Sequence, residues 1–380
     1  MDPQALLPPT SPFGFPAPYW FLVAFKLIGF VLHASMMNLW YAGPVLALIF
    51  RLRGGHYRTL SNRFMKQMPI IVAYGVNFGI VPLLFIQVAY YRVFYPSTIL
   101  MAWAWFSVVI LLTFAYYGIY IYSTGLRGDE NSMTSFKRLS GWVAAVLFIV
   151  IGFIFSNEFS LMTRLSAWHG LWKDQNVGGA VLGIALNTSD STLWPRWLMM
   201  FGLAITTVSA YFAVDAGLFA SKESVDYKSW AAKFAYKPYL LGMLWFAVMG
   251  SWYVFGSWPD DIRHFMLSPP RAALTFLTAL SPGLTWLVLL FIARRRMVTR
   301  GLGLLAGSMQ LLVLSFNAAS RQVVQNAELA RVADVTTEPL HIQWSPLILF
   351  LVSFAIGLGI IIWMIDKVAK AASGAAEQGR

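Results

Sequence analysis

Long apolar stretches broken by short polar segments run the length of the chain, at about 19–50, 67–91, 98–122, 139–157, 196–220, 238–257, 272–293, 301–319 and 345–366. Each is close to or above the roughly 20 apolar residues that cross about 30 Å of hydrocarbon. In lipid every backbone polar group must bond within its own segment or its own sheet, so only helices and closed barrels span. The stretches lack the alternating ten-residue pattern of barrel strands. The pattern therefore predicts an all-α integral membrane protein, a bundle of about nine transmembrane helices. No long hydrophilic interruption divides it, so one polytopic domain is expected over 19–366, with an arm at 1–18 and a tail at 367–380.

Composition agrees with this pattern. Hydrophobic residues make up 58% of the 380 and charged residues 12%, about half the charged content of a soluble domain, which excludes a soluble fold of this length. The net charge of +12 follows topology and calls for the lipid bilayer as partner, not nucleic acid. Nineteen basic residues fall in alternate loops and the tail, in clusters such as Arg51 to Lys66, Lys222 to Lys237 and Arg294 to Arg300, against eight on the opposite side. By the positive-inside rule the N-terminus lies outside and the C-terminus in the cytoplasm, which predicts a multi-pass protein of the inner (cytoplasmic) membrane. The proline-rich first twenty residues have no basic n-region and read as an arm, not a cleaved signal. The chain has no cysteine, which excludes disulfides, cysteine-ligated clusters and covalently attached c-type haem on this chain.

Charged or titratable groups inside spans are costly and mark candidate chemistry. Asp215, late in the fifth span, is a candidate proton-relay or helix-bonding carboxylate, and Lys26, early in the first, can snorkel to the interface. His33 is the histidine placed well inside a span; a neutral imidazole there can ligate a haem iron, bond a neighbouring helix or meet a quinone oxygen. Two clusters expected at the outside surface could receive a quinone headgroup or belong to an ordinary interface. One gathers Gln87, Tyr90, Tyr91, Arg92 and Tyr95; the other gathers Asp260, Asp261, Arg263 and His264, whose carboxylates and imidazole can accept protons. The excursion at 158–195, with Trp168, His169, Trp172 and the glycines from Gly178 to Gly183, is long enough to be expected to cover something.

The arrangement resembles the large, quinol-oxidising subunit of cytochrome bd oxidases. His33 and Gly43 match the first-span histidine and later glycine of that family. The segment GVNFGIVPLLFIQVAYYRVFYP is similar to its glycine-rich second span and aromatic turn, and Ser320, Arg321 and Gln322 in NAASRQVVQ stand for its Arg-Gln segment. The family's fifth-span haem histidine is replaced by Met199 or Met200, its ligand glutamate falls at about Ala318, and the third span lacks the family's carboxylates. The resemblance thus implies at most one haem b, on His33, and no oxygen reduction by this chain alone. The expected function is a quinone-interacting membrane subunit of a respiratory or photosynthetic electron-transfer complex. Its redox partners would lie outside, as c-type cytochromes or iron–sulfur subunits. A transporter or channel, or a haem-free anchoring scaffold, remain the other readings.

Overall fold

The computed structural model describes residues 3–127 and 132–377. The predicted arm and tail also include residues 1, 2 and 378–380, which lie outside the described residues. Among the described residues, nine helices are long and apolar enough to cross a membrane. They are α1 (Tyr19–Arg51), α2 (Gly55–Ala89), α4 (Ala102–Gly125), α5 (Ser135–Thr163), α7 (Leu193–Val214, prolonged by a π-turn at Asp215–Phe219), the pair α8 (Val225–Phe234) and α9 (Tyr236–Ser251), α11 (Arg271–Arg295), α12 (Arg300–Ala330) and α13 (Trp344–Glu377). Three short helices, α3 (Tyr91–Leu100), α6 (Trp168–Asp174) and α10 (Asp260–Leu267), and a two-stranded hairpin at Asn176–Val181 fill the connections.

The helices begin and end where local chemistry asks. Thr134, Ser224 and Thr299 cap α5, α8 and α12 by accepting a backbone N–H from the residue three positions on. Gly54 and Gly55, both at positive φ, make the tight turn from α1 to α2. These two helices then pack closely because small residues face large ones. Gly75 receives the Trp40 ring, Gly79 the His33 ring, and Gly43 the Phe64 ring, the kind of contact that substitutes for hydrophobic driving force in lipid. Gly202 of α7 and Gly242 of α9 bring those two backbones together in the same way.

Several helices run further than the apolar stretches that announced them. The fourth span ends at Thr163, not 157, and the eighth at Ala330, not 319. Hydropathy falls at Glu158 and Arg321, but a polar side chain turned toward other helices does not interrupt backbone hydrogen bonding. Glu158, Arg321, Gln322, Gln325 and Glu328 are therefore helical residues of the bundle, not loop residues. At the other end of the chain, α13 continues from the predicted span into the segment expected as a tail, as far as Glu377.

The two ends of the bundle are chemically distinct. At the basic end Arg63 of α2 bonds Asp215 and Glu223, which ties the first turn to the connection after α7. At the opposite end the arm docks against the segment before α13, with Phe15 N–H donating to the Pro339 carbonyl at 2.7 Å and His341 N–H to the Phe15 carbonyl at 2.9 Å. The excursion after α5 folds over this arm end. Its Trp168 is buried and donates to the Leu161 carbonyl, and Gly183 and Ala185 bond the backbone around the α3–α4 junction. Asp190 and Glu328 both bind Arg164, at 3.4 and 3.2 Å, and lock that cover to α5 and α12.

Candidate functional site

Inside the bundle, α1, α2, α4, α5, α7 and α12 surround a cavity of about 330 Å³, with Phe94 of α3 also on its wall. Much of its wall is aromatic, with Phe30, Trp40, Tyr41, Trp105, Phe148 and Phe159. Ile80 of α2 and Phe155 of α5 line it and are also 48% and 42% exposed on the apolar outer face of the bundle. The cavity thus reaches the surface that lipid would cover.

His33 of α1 forms part of the wall. Its Nδ1 lies 2.8 Å from the Gly75 carbonyl, so that nitrogen carries the proton and donates it, and Nε2 keeps a free lone pair. A side chain at residue 79 would collide with the ring, since a Cβ built on Gly79 falls 2.8 Å from its Cε1 and Nδ1. The backbone of α2 both orients the imidazole and makes room for it. Met37 and Met200 bring thioether sulfurs to the same wall, whereas Ala318 brings no donor. Among the described residues no cluster of three or more His, Asp or Glu gathers as a metal-ion site.

Three cations line this largely apolar space. Arg196 of α7 donates to Thr192 Oγ1 and the Ser156 carbonyl and lies over Phe159 at 4.6 Å. Arg321 of α12 lies over Phe30 and Phe159 at 4.9 and 4.4 Å, and among the described residues its guanidinium makes no hydrogen bond or ion pair. Lys26 of α1, 8% exposed, donates to Gln325 Oε1 at 3.0 Å and stands over the Tyr90 ring at 4.4 Å. The acid on the cavity wall is Glu158 of α5, whose Oε1 accepts from Ser97 Oγ and whose Oε2 has no partner. Buried cations in excess of acids leave a field suited to a ligand bearing negative charge.

From the Lys26 end a chain of hydroxyls and amides leads toward the arm. Gln322 Nε2 donates to Tyr90 Oη, the Tyr90 and Tyr19 hydroxyls share one hydrogen bond at 2.7 Å, and Asn326 Oδ1, 2.6 Å from Tyr90 Oη and 3.1 Å from Tyr19 Oη, accepts the pair's other proton. Burial pushes the Tyr90 phenol far up from its ordinary range, so it stays a hydroxyl.

Of the residues singled out by sequence, His33, Arg321, Gln322 and Lys26 lie on the cavity, Lys26 buried there and not snorkelling to the interface, and Tyr90 lies in the chain that leaves it. The rest of the first cluster turns elsewhere. Arg92 donates to the Pro8 carbonyl at 2.8 Å and approaches Glu338 at 4.0 Å, Tyr91 donates to Glu338, and Gln87 meets Tyr95 near the surface. These groups staple the arm and the segment before α13. In the second cluster Asp260 pairs with Arg263 and Asp261 with Arg331 at 3.0 Å, while His264 is exposed on α10. Asp215 lies at the basic end, chelated by Arg63 Nε and Nη2 at 2.8 and 2.9 Å and bonded by Gln67 at 2.8 Å.

Sequence reading missed Glu158 and Gln325 as site residues because they stand past the ends of the apolar stretches at 139–157 and 301–319, and Arg196 because it opens the stretch at 196–220. The helical spacing of Arg321, Gln322, Gln325 and Glu328, at i, i+1, i+4 and i+7, was the available signal. It continues one inward face of the eighth span.

No family model matches the chain, and no curated protein matches it by sequence. A bd oxidase from Geobacillus thermodenitrificans has a similar structure, with TM-score 0.58 and 12% identity over 93% of this chain and 95% of that one. The chain is a multi-pass helical membrane protein with a distant bd-oxidase-like fold.

Proposed function

We propose that the chain is a quinone-interacting redox subunit of a respiratory membrane complex, with one haem b carried on His33. The observation that carries this reading is the imidazole itself. A histidine deep in a lipid-spanning helix is pinned through Nδ1 to a carbonyl, with Nε2 free on the wall of an aromatic cavity. Outer-shell orientation of this kind is usual for metal-binding histidine. The residues present fit a haem: His33 offers the axial nitrogen, the aromatic wall takes the macrocycle, and Arg321 and Arg196 would hold its carboxylates. Haem supplies one-electron chemistry when bound. A likeness in fold to a bd oxidase is in keeping with this assignment but does not supply it.

The partners proposed are other membrane subunits and outside redox proteins, c-type cytochromes or iron–sulfur subunits, that meet the arm end. The basic end would then face the cytoplasm across the cytoplasmic membrane. The test is purification that keeps neighbours attached, followed by a reduced-minus-oxidised spectrum and haem extraction. A single b-type signal that vanishes in His33→Ala is expected. A chain with no such signal, or with two spectrally distinct haems, overturns the reading.

A further inference from the structure

At the basic end of the bundle a second hollow, about 540 Å³, lies between the start of α2 and the turn that follows α7. Two of its α2 side chains are engaged within the protein. Arg63 holds Asp215 through Nε and Nη2 and Glu223 Oε1 through Nη1, and Gln67 donates to Asp215 and accepts from the Tyr211 hydroxyl. Asn62 Oδ1 accepts from Arg51. Among the described residues, the polar groups of the lining left without a partner are Lys66 Nζ, Asn62 Nδ2, the Thr59 hydroxyl and Glu223 Oε2. The open set is therefore one ammonium and two further donors beside one carboxylate oxygen. Charge is balanced, because Arg63 and Lys66 stand against Asp215 and Glu223, and the exposed Arg58 and Lys222 do not line the hollow.

Lys66 stands at the boundary where the apolar run of the second span begins. Ile70 and Tyr74 follow at i+4 and i+8 on the same face of α2, 60% and 55% exposed. They carry that face about 12 Å into the span. Phe219, 56% exposed, borders the hollow as well. A ligand seated here has a polar end in the hollow and an apolar end along α2.

We propose that the hollow binds the headgroup of a lipid of the phosphatidylethanolamine class, a phosphodiester joined to a primary ammonium. The phosphodiester takes Lys66, Asn62 and Thr59 as donors, the ammonium donates to Glu223 Oε2, and an acyl chain lies over Ile70 and Tyr74. Balanced charge favours a zwitterion over an anionic headgroup, which would add a negative charge that no surplus cation in the hollow matches. A trimethylated ammonium has no N–H for Glu223, so the primary amine is preferred to choline. Arg63 and Glu223 already join α2 to the turn, and a lipid held by Lys66 and Glu223 adds a second tie across that junction. The site is separate from the cavity and from any redox group there.

The test is native mass spectrometry of the full chain released from nanodiscs of phosphatidylethanolamine, phosphatidylglycerol and phosphatidylcholine in equal parts. The ethanolamine lipid should be retained over both others. Lys66→Gln, which removes a side chain with no partner in the fold, should cut that retention about fivefold, the measure of one partly exposed ion pair. Glu223→Gln should abolish the preference for ethanolamine over choline while phospholipid still binds. Its loss of the Arg63 pair calls for a melting curve, and Thr59→Val, outside the ion pairs, is the second variant and should lower retention more mildly. Soluble glycerophosphoethanolamine, which has no acyl chains, should not displace the lipid. Equal retention of the three lipids, preference for the glycerol lipid, undiminished retention by Lys66→Gln, or displacement by the soluble headgroup overturns the site.

Discussion

Arg321 is a cavity-wall cation whose guanidinium lies over two aromatic faces and, among the described residues, makes no hydrogen bond or ion pair. An ionised group inside a membrane costs several kcal/mol unless a partner offsets it. If a ligand carboxylate is that partner, Arg321→Leu should behave oppositely in the two states. The ligand-free chain should melt at the same or a higher temperature, because an unpaired cation has been replaced by an apolar side chain of lesser desolvation cost. The loaded chain should hold its haem more weakly by about tenfold to a hundredfold, the equivalent of one charged hydrogen bond of about 1.5–3 kcal/mol. Competitive transfer of haem to an apo-acceptor, together with a melting curve, checks both arms. His33 was legible as a candidate because titratable residues deep in apolar runs are rare. Its tautomer was not, because the partner carbonyl belongs to Gly75 on another helix.

At the scale of elements, the α1–α2 contact and the π-turn after α7 carry separable predictions. Gly79→Ala places a methyl group where the His33 ring lies. It should cost about 1–3 kcal/mol as overpacking does, and it should shift or remove any b-type absorbance by turning the imidazole away from Gly75. Asp215→Asn acts far from the cavity. It weakens the Arg63 pairing at the basic end and should lower stability by about 2 kcal/mol, with the absorbance unchanged. A relay role for Asp215 predicts a different pattern, slowed proton-coupled turnover at an unchanged melting temperature, so one variant separates the two. Helix existence and order were readable from apolar run length. Helix ends were not, since a carboxyl or guanidinium such as Glu158 or Arg321 stops a hydropathy count but not a helix.

At the scale of the molecule, the proposed orientation follows from the sorting of basic residues between the ends of the bundle. Reporter tags placed before residue 3 and after residue 377 should be accessible from outside and from the cytoplasm respectively in intact cells. A tag before the arm that is reached only after permeabilisation would reverse the proposed sides and put the arm end at the cytoplasm. On the proposed reading, an outside redox partner would dock at the arm and the excursion. Co-purification should therefore weaken when residues 3–14 are deleted and persist when α8 is altered.

What the amino-acid sequence determined by itself is whatever depends on local solvation. Nine apolar runs dictate nine spans because lipid cannot satisfy a bare backbone, and the charge asymmetry between loops is the ground of the proposed direction. Tertiary structure decided which polar side chains meet. Lys26, Glu158, Arg196 and Arg321 come from four helices and share one cavity, whereas Arg92 and Tyr91, next to Tyr90 in sequence, turn to the arm and Glu338 instead. The reason is geometric. Each helix residue chooses its neighbours by the direction of its side chain and the packing of other helices, and no single run of sequence contains that information.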